Sequence, residues 1–358
     1  MRHARTVLAL ALALGLSGLQ AFTAPGSQDL KTAGPQDRSP LSVARLLAAK
    51  YPADPIMSYI PALTWSNSFR LAILTGEDKW REKPRAQMEA FLSGKTPAIA
   101  EPYRLTSLAG HFAFADAAAL DGNAAAGALA AKAAQFIVID GQDEGVRFPT
   151  QWTDDMFMAG SLLSRVGSGT YAGRVRTMLT TYAHHLQRPD GLFNHAEKAP
   201  HAWGRGNGFA LLGVTEALTH LPPAFPNRDM LLDIYRRHVM ALAGHQSDDG
   251  SWRQVVDEPT SYRELTVTAM TVAAMARGVG RGWIDRATYQ PVIDRGWQAV
   301  VARVNDDGTV RDVCAGTGAG ETKEYYMNRP VVNGADDRGG AMALLAAIEV
   351  ETLRRQAR

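Results

Sequence analysis

The chain has 358 residues, of which 46% are hydrophobic, so it can bury a large core in one or two domains. Its formal net charge at pH 7 is +2, and no basic block with interleaved aromatic residues occurs, which argues against nucleic acid as a partner. Cys314 is the single cysteine, which excludes an internal disulfide and leaves the fold to depend on packing.

The N-terminus has the pattern of a secretory signal peptide. Arg2 and Arg5 precede an apolar run over residues 7–16, and candidate cleavage points follow Ala21 or Ala24. The apolar run is too short for a stable membrane anchor. We therefore expect an exported protein, periplasmic or secreted, whose mature form makes no contact with a membrane.

The remainder reads as a linker followed by helices. Residues 25–40 contain scattered Pro and Gly and predict a linker, and a single domain is expected over residues 41–358. Few stretches are both β-branched and alternating, so a substantial sheet is not expected. Amphipathic, alanine-rich stretches predict helices at 41–50, 64–75, 83–93, 105–120, 124–139, 154–165, 171–186, 209–221, 229–245, 262–279, 287–304 and 337–355.

A sharp turn recurs along the second half of the chain. Asp-Gly pairs stand at residues 190–191, 249–250 and 307–308, and each follows a predicted helix. One such turn for every two helices is typical of a helical-hairpin repeat. Twelve helices arranged as six inner and six outer ones predict an all-α fold, the (α/α)6 barrel. An open α-solenoid is the structural alternative.

Residues 203–209 (WGRGNGF) place an aromatic ring, a fixed cation and an amide among three glycines, just before the helix predicted from residue 209. Glycine permits positive φ and close approach of the backbone, so Arg205 and Asn207 are expected to point to one spot. The dipole of the following helix favours an anion there. This pattern predicts an anion-recognising corner, and a plain glycine-rich helix start is the alternative.

Two readings are open for the acidic pair Asp154 and Asp155, at the start of an apolar helix. Thr153 or Asp154 caps the helix while Asp155 complements its dipole. Alternatively, a carboxyl held against Trp152 loses hydration, which favours the protonated form that a general acid needs.

The chain shows no pattern for a metal or cofactor. His195 and His201 flank a short loop, but their spacing matches no tight helical pair, so we expect hydrogen bonds to a sugar or carboxylate rather than metal binding. The glycine-rich residues 316–320 lack the preceding strand and following helix of a dinucleotide site.

Taken together, these motifs resemble those of the unsaturated glycuronyl hydrolases of glycoside hydrolase families 88 and 105, most of all the unsaturated rhamnogalacturonyl hydrolases of family 105. Four motifs carry the resemblance: residues 152–158 (WTDDMFM); residues 201–208 (HAWGRGNG); residues 249–252 (DGSW) with 261–264 (SYRE); and residues 316–318 (GTG) with 324–330 (EYYMNRP). They occur in the family's order and cover about residues 145–350.

The resemblance implies an (α/α)6 barrel that removes a terminal 4,5-unsaturated uronic acid from the oligosaccharides left by polysaccharide lyases. Such enzymes protonate C4 of the double bond and add water at C5, and the hemiketal then collapses and releases the neighbouring sugar. The resemblance implies Asp154 as the catalytic acid and His195 as a second catalytic residue. The substrate-binding residues that it implies are Trp152, Trp203, Arg205, Asn207 and Phe209, with Arg205 suited to the uronate carboxylate.

The chain departs from the family at three places. Phe209 stands where the family usually has tryptophan, the loop over residues 196–204 is shorter than is common, and residues 100–106 offer no match for a second, upstream aspartate. Two alternatives are therefore kept: a conventional inverting glycosidase on the same barrel, and a catalytically silent glycan-binding barrel.

Overall fold

Helices make up most of the computed structural model, which describes residues 37–141 and 145–357. The predicted signal peptide and residues 25–36 of the predicted linker lie outside the described residues. The helices are α1 (Pro40–Lys50), α2 (Tyr59–Thr75), α3 (Lys79–Leu92), α4 (Leu105–Ala109), α5 (Phe112–Asp121), α6 (Ala124–Ile137), α7 (Thr153–Arg165), α8 (Ala172–Leu186), α9 (Gly204–His220), α10 (Arg228–Gly244), α11 (Leu265–Gly280), α12 (Arg286–Val301), α13 (Lys323–Met327) and α14 (Asp337–Gln356), with a 3₁₀ turn at Gly167–Gly169. Two antiparallel strand pairs join β1 (Trp252–Arg253) to β2 (Arg263–Glu264) and β3 (Val310–Cys314) to β4 (Val331–Gly334).

Several predicted helix boundaries differ from those observed. Helix α2 begins at Tyr59, five residues before the predicted start. Pro61 lies in its first turn, where the backbone N–H groups have no partner within the helix, so a proline costs no hydrogen bond there. The helix predicted over 105–120 is divided between α4 and α5 at Gly110 and His111. Residues 263–264 form β2 rather than the start of α11. Helix α9 begins at Gly204, so the predicted glycine turn is the first turn of a helix.

The helices alternate between an inner and an outer layer. Helices α2, α5, α7, α9, α11 and α14 form the inner layer, and nearly every residue of α9 and α11 is buried. The outer helices α1, α3, α6, α8, α10 and α12 each bury one face only, which matches their amphipathic sequences. Helix α14 packs against both α1 and α2, so the layers close on themselves and the predicted barrel is confirmed over the open solenoid.

A closed ring of charged side chains joins all six inner helices near their C-terminal ends. It begins and ends on α2, where Ser66 donates to Asp116 and Arg70 pairs with Glu349. The successive ion pairs are Arg165–Asp116 (2.9 Å), Arg165–Glu216 (2.5 Å), Arg277–Glu216 (2.5 Å), Arg277–Glu349 (2.5 Å) and Arg70–Glu349 (2.6 Å). Because each helix contributes to one ring, all six run in the same direction and their N-termini meet at the opposite end of the barrel.

Each carboxylate of the ring is held by more than one donor. Burial opposes the charge of Glu216, but the guanidinium groups of Arg165 and Arg277 outweigh it and hold the pKa of Glu216 well below its usual range. Removing one partner from such a pair leaves an uncompensated buried charge, which costs about 3–5 kcal/mol. The ring therefore holds the six helices in one order and at one height.

The three Asp-Gly turns share one geometry, as the repeat predicted. Their glycines have φ of +94°, +84° and +77°, in the left-handed region. Asp190, Asp249 and Asp307 each accept the N–H of the residue two positions later, at 3.0, 3.1 and 2.9 Å. Each turn follows an outer helix and leads back toward the next inner helix at its N-terminal end.

Helices α7 and α9 approach closely at Gly213. A Cβ on Gly213 would lie 2.4 Å from the carbonyl oxygen of Met156, a backbone atom that cannot rotate away. Gly160 lies on the facing helix, and a Cβ there would lie 3.6 Å from the carbonyl oxygen and 3.9 Å from the Cα atom of Gly213. This contact sets the spacing of the two helices that carry Asp154 and Arg205.

We expect Gly213→Ala to lower the free energy of unfolding by about 2–3 kcal/mol, because the methyl group forces α7 and α9 apart. Gly173→Ala is the matched control, since a Cβ there meets nothing within 4 Å and alanine favours the helix by at most about 1 kcal/mol. Thermal and urea unfolding of both variants measure the difference. Equal stabilities for the two variants would contradict the close contact.

Candidate active site

The N-terminal ends of the inner helices form one mouth of the barrel, opposite the charged ring. The first residues of α2, α7, α9, α11 and α14 are Tyr59, Thr153, Gly204, Leu265 and Asp337. Helix dipoles that point the same way add their positive ends at this mouth. The mouth is therefore electrostatically suited to an anionic ligand.

Asp154 and His195 form a hydrogen-bonded pair at this mouth. The Nε2 atom of His195 lies 3.2 Å from Oδ2 of Asp154, and its Nδ1 atom lies 2.7 Å from the hydroxyl of Tyr326. The Tyr326 hydroxyl also accepts the N–H of Gly320 at 3.1 Å. When Tyr326 donates to Nδ1, Nε2–H donates to the Asp154 carboxylate, and the other tautomer accepts a proton from Asp154. The bonds to Tyr326 and Asp154 can therefore both be kept whether the Asp154 carboxyl is ionised or protonated, provided that the imidazole carries its proton on the matching nitrogen.

His195 is enclosed by aromatic rings, which fix its orientation. Its ring lies 5.2 Å from Trp152, 4.5 Å from Trp203 and 5.7 Å from Tyr326, and the residue is 0% exposed. Asp154 is 7% exposed, so of this pair only Asp154 has any surface open to a ligand.

The helix cap that competed with a catalytic role for Asp154 is absent. The N-cap of α7 is Trp152, and no side chain bonds to that helix start. Asp155 instead accepts the N–H groups of Thr150 and Gln151, both at 2.8 Å, and the hydroxyl of Tyr182 at 2.7 Å. Burial raises the pKa of Asp155 to about 6, against the effect of these hydrogen bonds. Asp155 thus holds the preceding turn, while Asp154 keeps its carboxyl for His195.

The glycine-rich residues 315–322 form a loop beside the pair. Tyr325 and Tyr326 accept the N–H groups of Gly318 (3.0 Å) and Gly320 (3.1 Å), and Nε2 of His201 donates to the carbonyl of Glu321 at 3.0 Å. A Cβ on Gly318 would lie 3.6 Å from the Trp152 indole. The loop therefore packs over Trp152, and the role of His201 is to hold it.

Arg205 has a different role from the one predicted. Its Nη1 and Nη2 atoms donate to the carbonyls of Cys314 (2.7 Å) and Ala315 (2.6 Å), and its guanidinium lies 5.0 Å from the centre of the Trp203 ring. The residue is 2% exposed. These contacts show Arg205 as a positioning residue for the segment that leads into the glycine loop.

The prediction that Arg205 and Asn207 point to one spot is wrong, because both lie on a regular helix. Asn207 is fully buried, accepts the N–H of Phe193 at 2.8 Å and donates to the carbonyls of Phe193 and Trp203. The glycines of this turn provide close packing and not positive φ. A Cβ on Gly204 would lie 2.6 Å from the carbonyl oxygen of Arg253.

Two predicted stacking residues also lie inside the protein. Phe209 is 0% exposed and stacks on Phe157 at 5.7 Å, with Tyr59 at its edge at 5.6 Å. Trp203 is 1% exposed and lies between His195 and Arg205. Both rings are covered by other side chains, so neither presents a face to a sugar. Of the predicted tryptophans, Trp152 alone keeps a partly exposed ring.

A cavity of about 570 Å³ adjoins the exposed part of Trp152. Its lining includes Thr150, Gln151, Trp152, Tyr182, Lys198 and Glu321. An aromatic ring with polar groups around it is the usual composition of a small-molecule pocket.

Sequence reasoning missed three side chains at the mouth. Tyr326 belongs to a quoted motif, but nothing in the sequence connected it to His195. Tyr59 begins α2, and burial together with the charge of Asp154 raises its pKa to about 12, so it remains a neutral phenol. Arg338, near the start of α14, pairs with Asp336 through Nη2 at 2.6 Å.

The missing upstream aspartate has no counterpart in that region. Residues 100–106 contain one acidic side chain, Glu101, which is exposed. Within the described residues, no group of three His, Cys, Asp or Glu side chains is placed to hold a metal ion. None of the helices over 37–141 and 145–357 combines the length and the apolar run that a membrane span needs.

Acidic pH should lower the free energy of unfolding through His238, a buried residue that contacts Asn207. His238 lies 3.1 Å from Asn207 Oδ1, and burial lowers its pKa to about 3. Between about pH 6.5 and pH 3 the unfolded chain binds a proton here that the folded chain does not, so stability falls as the pH falls. At pH 5 this loss is about 2 kcal/mol.

We expect His238→Gln to show a smaller loss of stability than the unsubstituted protein between pH 7 and pH 5. The exposed His184→Gln variant should keep the original pH dependence. Urea unfolding at pH 7, 6 and 5 measures both. An unchanged slope for His238→Gln would contradict a neutral, buried His238.

Tyr326→Phe should lower the free energy of unfolding by about 1–3 kcal/mol, because Nδ1 of His195 and the N–H of Gly320 both lose their partner in a buried site. Tyr325→Phe loses only the bond from the N–H of Gly318 and should cost less. Urea unfolding ranks the two variants, and the reverse order would exclude the Tyr326–His195 bond as a structural anchor.

Comparison with known proteins identifies the family of the chain. The model of Glycosyl Hydrolase Family 88 matches residues 46–354. The chain is 29% identical over 197 residues to the unsaturated rhamnogalacturonyl hydrolase YesR of Bacillus subtilis, covering 51% of this chain and 55% of that protein. It is 31% identical over 113 residues to an unsaturated 3S-rhamnoglycuronyl hydrolase of Alteromonas sp., covering 31% and 27%. The chain thus spans about half or less of these relatives' lengths.

A solved structure shares the fold over nearly the whole chain. It comes from Salmonella enterica and is described as a possible member of family GH105. It superposes with a TM-score of 0.77 at 18% identity, covering 88% of this chain and 94% of that one. The family match covers far more than half of the sequence, and the barrel is the one that the resemblance predicted. The chain belongs to Glycosyl Hydrolase Family 88.

Proposed function

We propose that this protein is a glycoside hydrolase that removes a terminal 4,5-unsaturated uronic acid from the oligosaccharides made by polysaccharide lyases. The observation that carries the proposal is the pair formed by Asp154 and His195, in which one accessible carboxyl is hydrogen-bonded to a buried imidazole. Family membership and the names of the relatives support the same substrate class.

Asp154 would act first as the acid. Its carboxyl donates a proton to C4 of the double bond, and positive charge develops at C5 and the ring oxygen. Water then adds at C5 and returns its proton to the Asp154 carboxylate, so the acid is regenerated. The hemiketal opens to a ketone at C5 and a hemiacetal at C1. The hemiacetal collapses to an aldehyde, and the sugar attached at C1 leaves as an alcohol. One accessible carboxyl is sufficient for these reaction steps.

His195 would orient the Asp154 carboxyl through a hydrogen bond without touching the substrate. Its imidazole is held by Tyr326 on one side and Asp154 on the other, at 2.7 and 3.2 Å. A change of tautomer lets it either donate to the ionised carboxylate or accept from the protonated acid. The aromatic rings around it keep this geometry while the proton moves.

The leaving sugar would lie in the cavity beside Trp152. The partly exposed indole of Trp152 adjoins both His195 and the 570 Å³ cavity, so a sugar bound next to the unsaturated residue can stack on it. Of the predicted substrate-binding residues, Trp152 is the one whose exposure supports direct contact. Export through the predicted signal peptide would bring the enzyme to such substrates outside the cytoplasm.

We expect Asp154→Asn to reduce turnover by at least about a thousandfold, since the amide cannot donate the proton to C4. Loss of ultraviolet absorbance from lyase digests of pectin, ulvan and glycosaminoglycans measures turnover. Asp294→Asn, on the exposed face of α12, is the matched control and should keep normal turnover.

Wild-type turnover by Asp154→Asn would rule out the proposed acid. Turnover of saturated glycosides by the unsubstituted protein would instead favour a conventional glycosidase. Binding of lyase products by calorimetry with no loss of absorbance would identify a silent glycan-binding barrel.

A further inference from the structure

The mouth of the barrel holds two arginines, and they differ in what their guanidinium groups can still bind. Arg205 is 2% exposed and gives both terminal nitrogens to the carbonyls of Cys314 and Ala315. These two bonds leave other N–H donors of the guanidinium unused, but at 2% exposure a ligand carboxylate cannot approach them unless the surrounding segment moves. Arg205 is therefore committed to the protein.

Arg338 keeps one edge of its guanidinium free. Its Nε and Nη2 atoms donate to the two carboxylate oxygens of Asp336, at 3.3 and 2.6 Å. Its Nη1 atom makes no hydrogen bond with any described residue, and the side chain is 28% exposed. Asp336 also caps α14 by accepting the N–H of Gly339 at 3.0 Å, so the arginine is attached to a rigid helix start.

The free edge faces the same part of the mouth as the glycine loop and Tyr59. A Cβ on Gly316 would lie 3.3 Å from Nη1 of Arg338, directly after the two carbonyls that Arg205 holds. Arg338, Arg205 and Asp154 all act electrostatically on the Tyr59 hydroxyl, which makes no hydrogen bond with a described residue. Tyr59 contacts Phe157, one turn after Asp154 on the same helix, at 6.3 Å.

We propose that Arg338, with the hydroxyl of Tyr59, binds the carboxylate of the unsaturated uronic acid, and that Arg205 only positions the loop. This inference rests on the proposed function and specifies which residue selects the acid. The free Nη1 would donate a charge-assisted hydrogen bond, and Tyr59 would donate a second one. The positive ends of the inner helices add to the attraction.

The carboxylate is adjacent to C5, where positive charge develops. Arg338 and Asp154 both act electrostatically on Tyr59, so a carboxylate held at Arg338 would keep the double bond in the part of the mouth that contains Asp154. A neutral ester at this position would lose the charge-assisted bond but keep the rest of the sugar's contacts. Discrimination between acid and ester therefore reports on Arg338 directly.

The test compares an unsaturated uronyl disaccharide with its methyl ester on four variants. We expect Arg338→Gln to raise the KM for the acid by about 10–100-fold and to change the KM for the ester by less than about threefold. Arg338→Lys should retain part of the preference, since it keeps the charge. Arg354→Gln, at the exposed far end of the same helix, is the matched control and should behave as the unsubstituted protein.

Arg205→Gln separates the two arginines. Loss of its bonds to Cys314 and Ala315 should lower kcat for acid and ester alike and reduce thermal stability, without changing the preference. The inference is overturned if Arg338→Gln keeps the original KM for the acid, or if Arg205→Gln alone abolishes the preference for the acid.

Failure of the proposed function has a different signature, which is no turnover of either compound by the unsubstituted protein. Calorimetry of the acid and the ester then decides the assignment without catalysis. A preference for binding the acid that Arg338→Gln abolishes supports it, and a preference that survives overturns it.

Discussion

Six charged side chains from the six inner helices make a closed ring at one end of the barrel, and the site at the other end depends on it. Arg165 and Arg277 each bridge carboxylates from two neighbouring helices. An inner helix that slid or turned would therefore leave a buried charge without its partner. The ring therefore keeps the inner helices in register. Because they all run one way, their N-termini and positive dipole ends meet at the opposite mouth.

Similar side chains at that mouth have different hydrogen-bond partners and therefore different roles. Asp155 binds the preceding turn and leaves the adjacent Asp154 for His195, while Tyr326 anchors both the imidazole and the glycine loop. Arg205 is used to hold backbone carbonyls, and Arg338 keeps a free edge. In each pair one member is structural and the other is available, and the hydrogen-bond partners decide which is which.

Much of the architecture was predictable because its signals are local. Helical periodicity gave the inner and outer helices to within a few residues, and the Asp-Gly pairs predicted turns whose left-handed glycines and aspartate hydrogen bonds are almost identical. The boundary of α9 was wrong because Gly204, Gly206 and Gly208 resemble a loop in sequence. Their lack of side chains serves contact with Arg253, Thr153 and Met270, which are distant in the chain.

By itself, the sequence determined the helical class, the turn repeat and the family resemblance, since these depend on residue type and spacing. The resemblance in turn named Asp154 and His195 as candidates. The tertiary structure alone decided which side chains are available at the mouth. Trp203, Asn207 and Phe209 carry the right chemistry for a sugar site, yet neighbours from other helices and loops cover them. Burial and hydrogen-bond partners are properties of the whole chain's packing, and residue spacing along one segment contains no record of them.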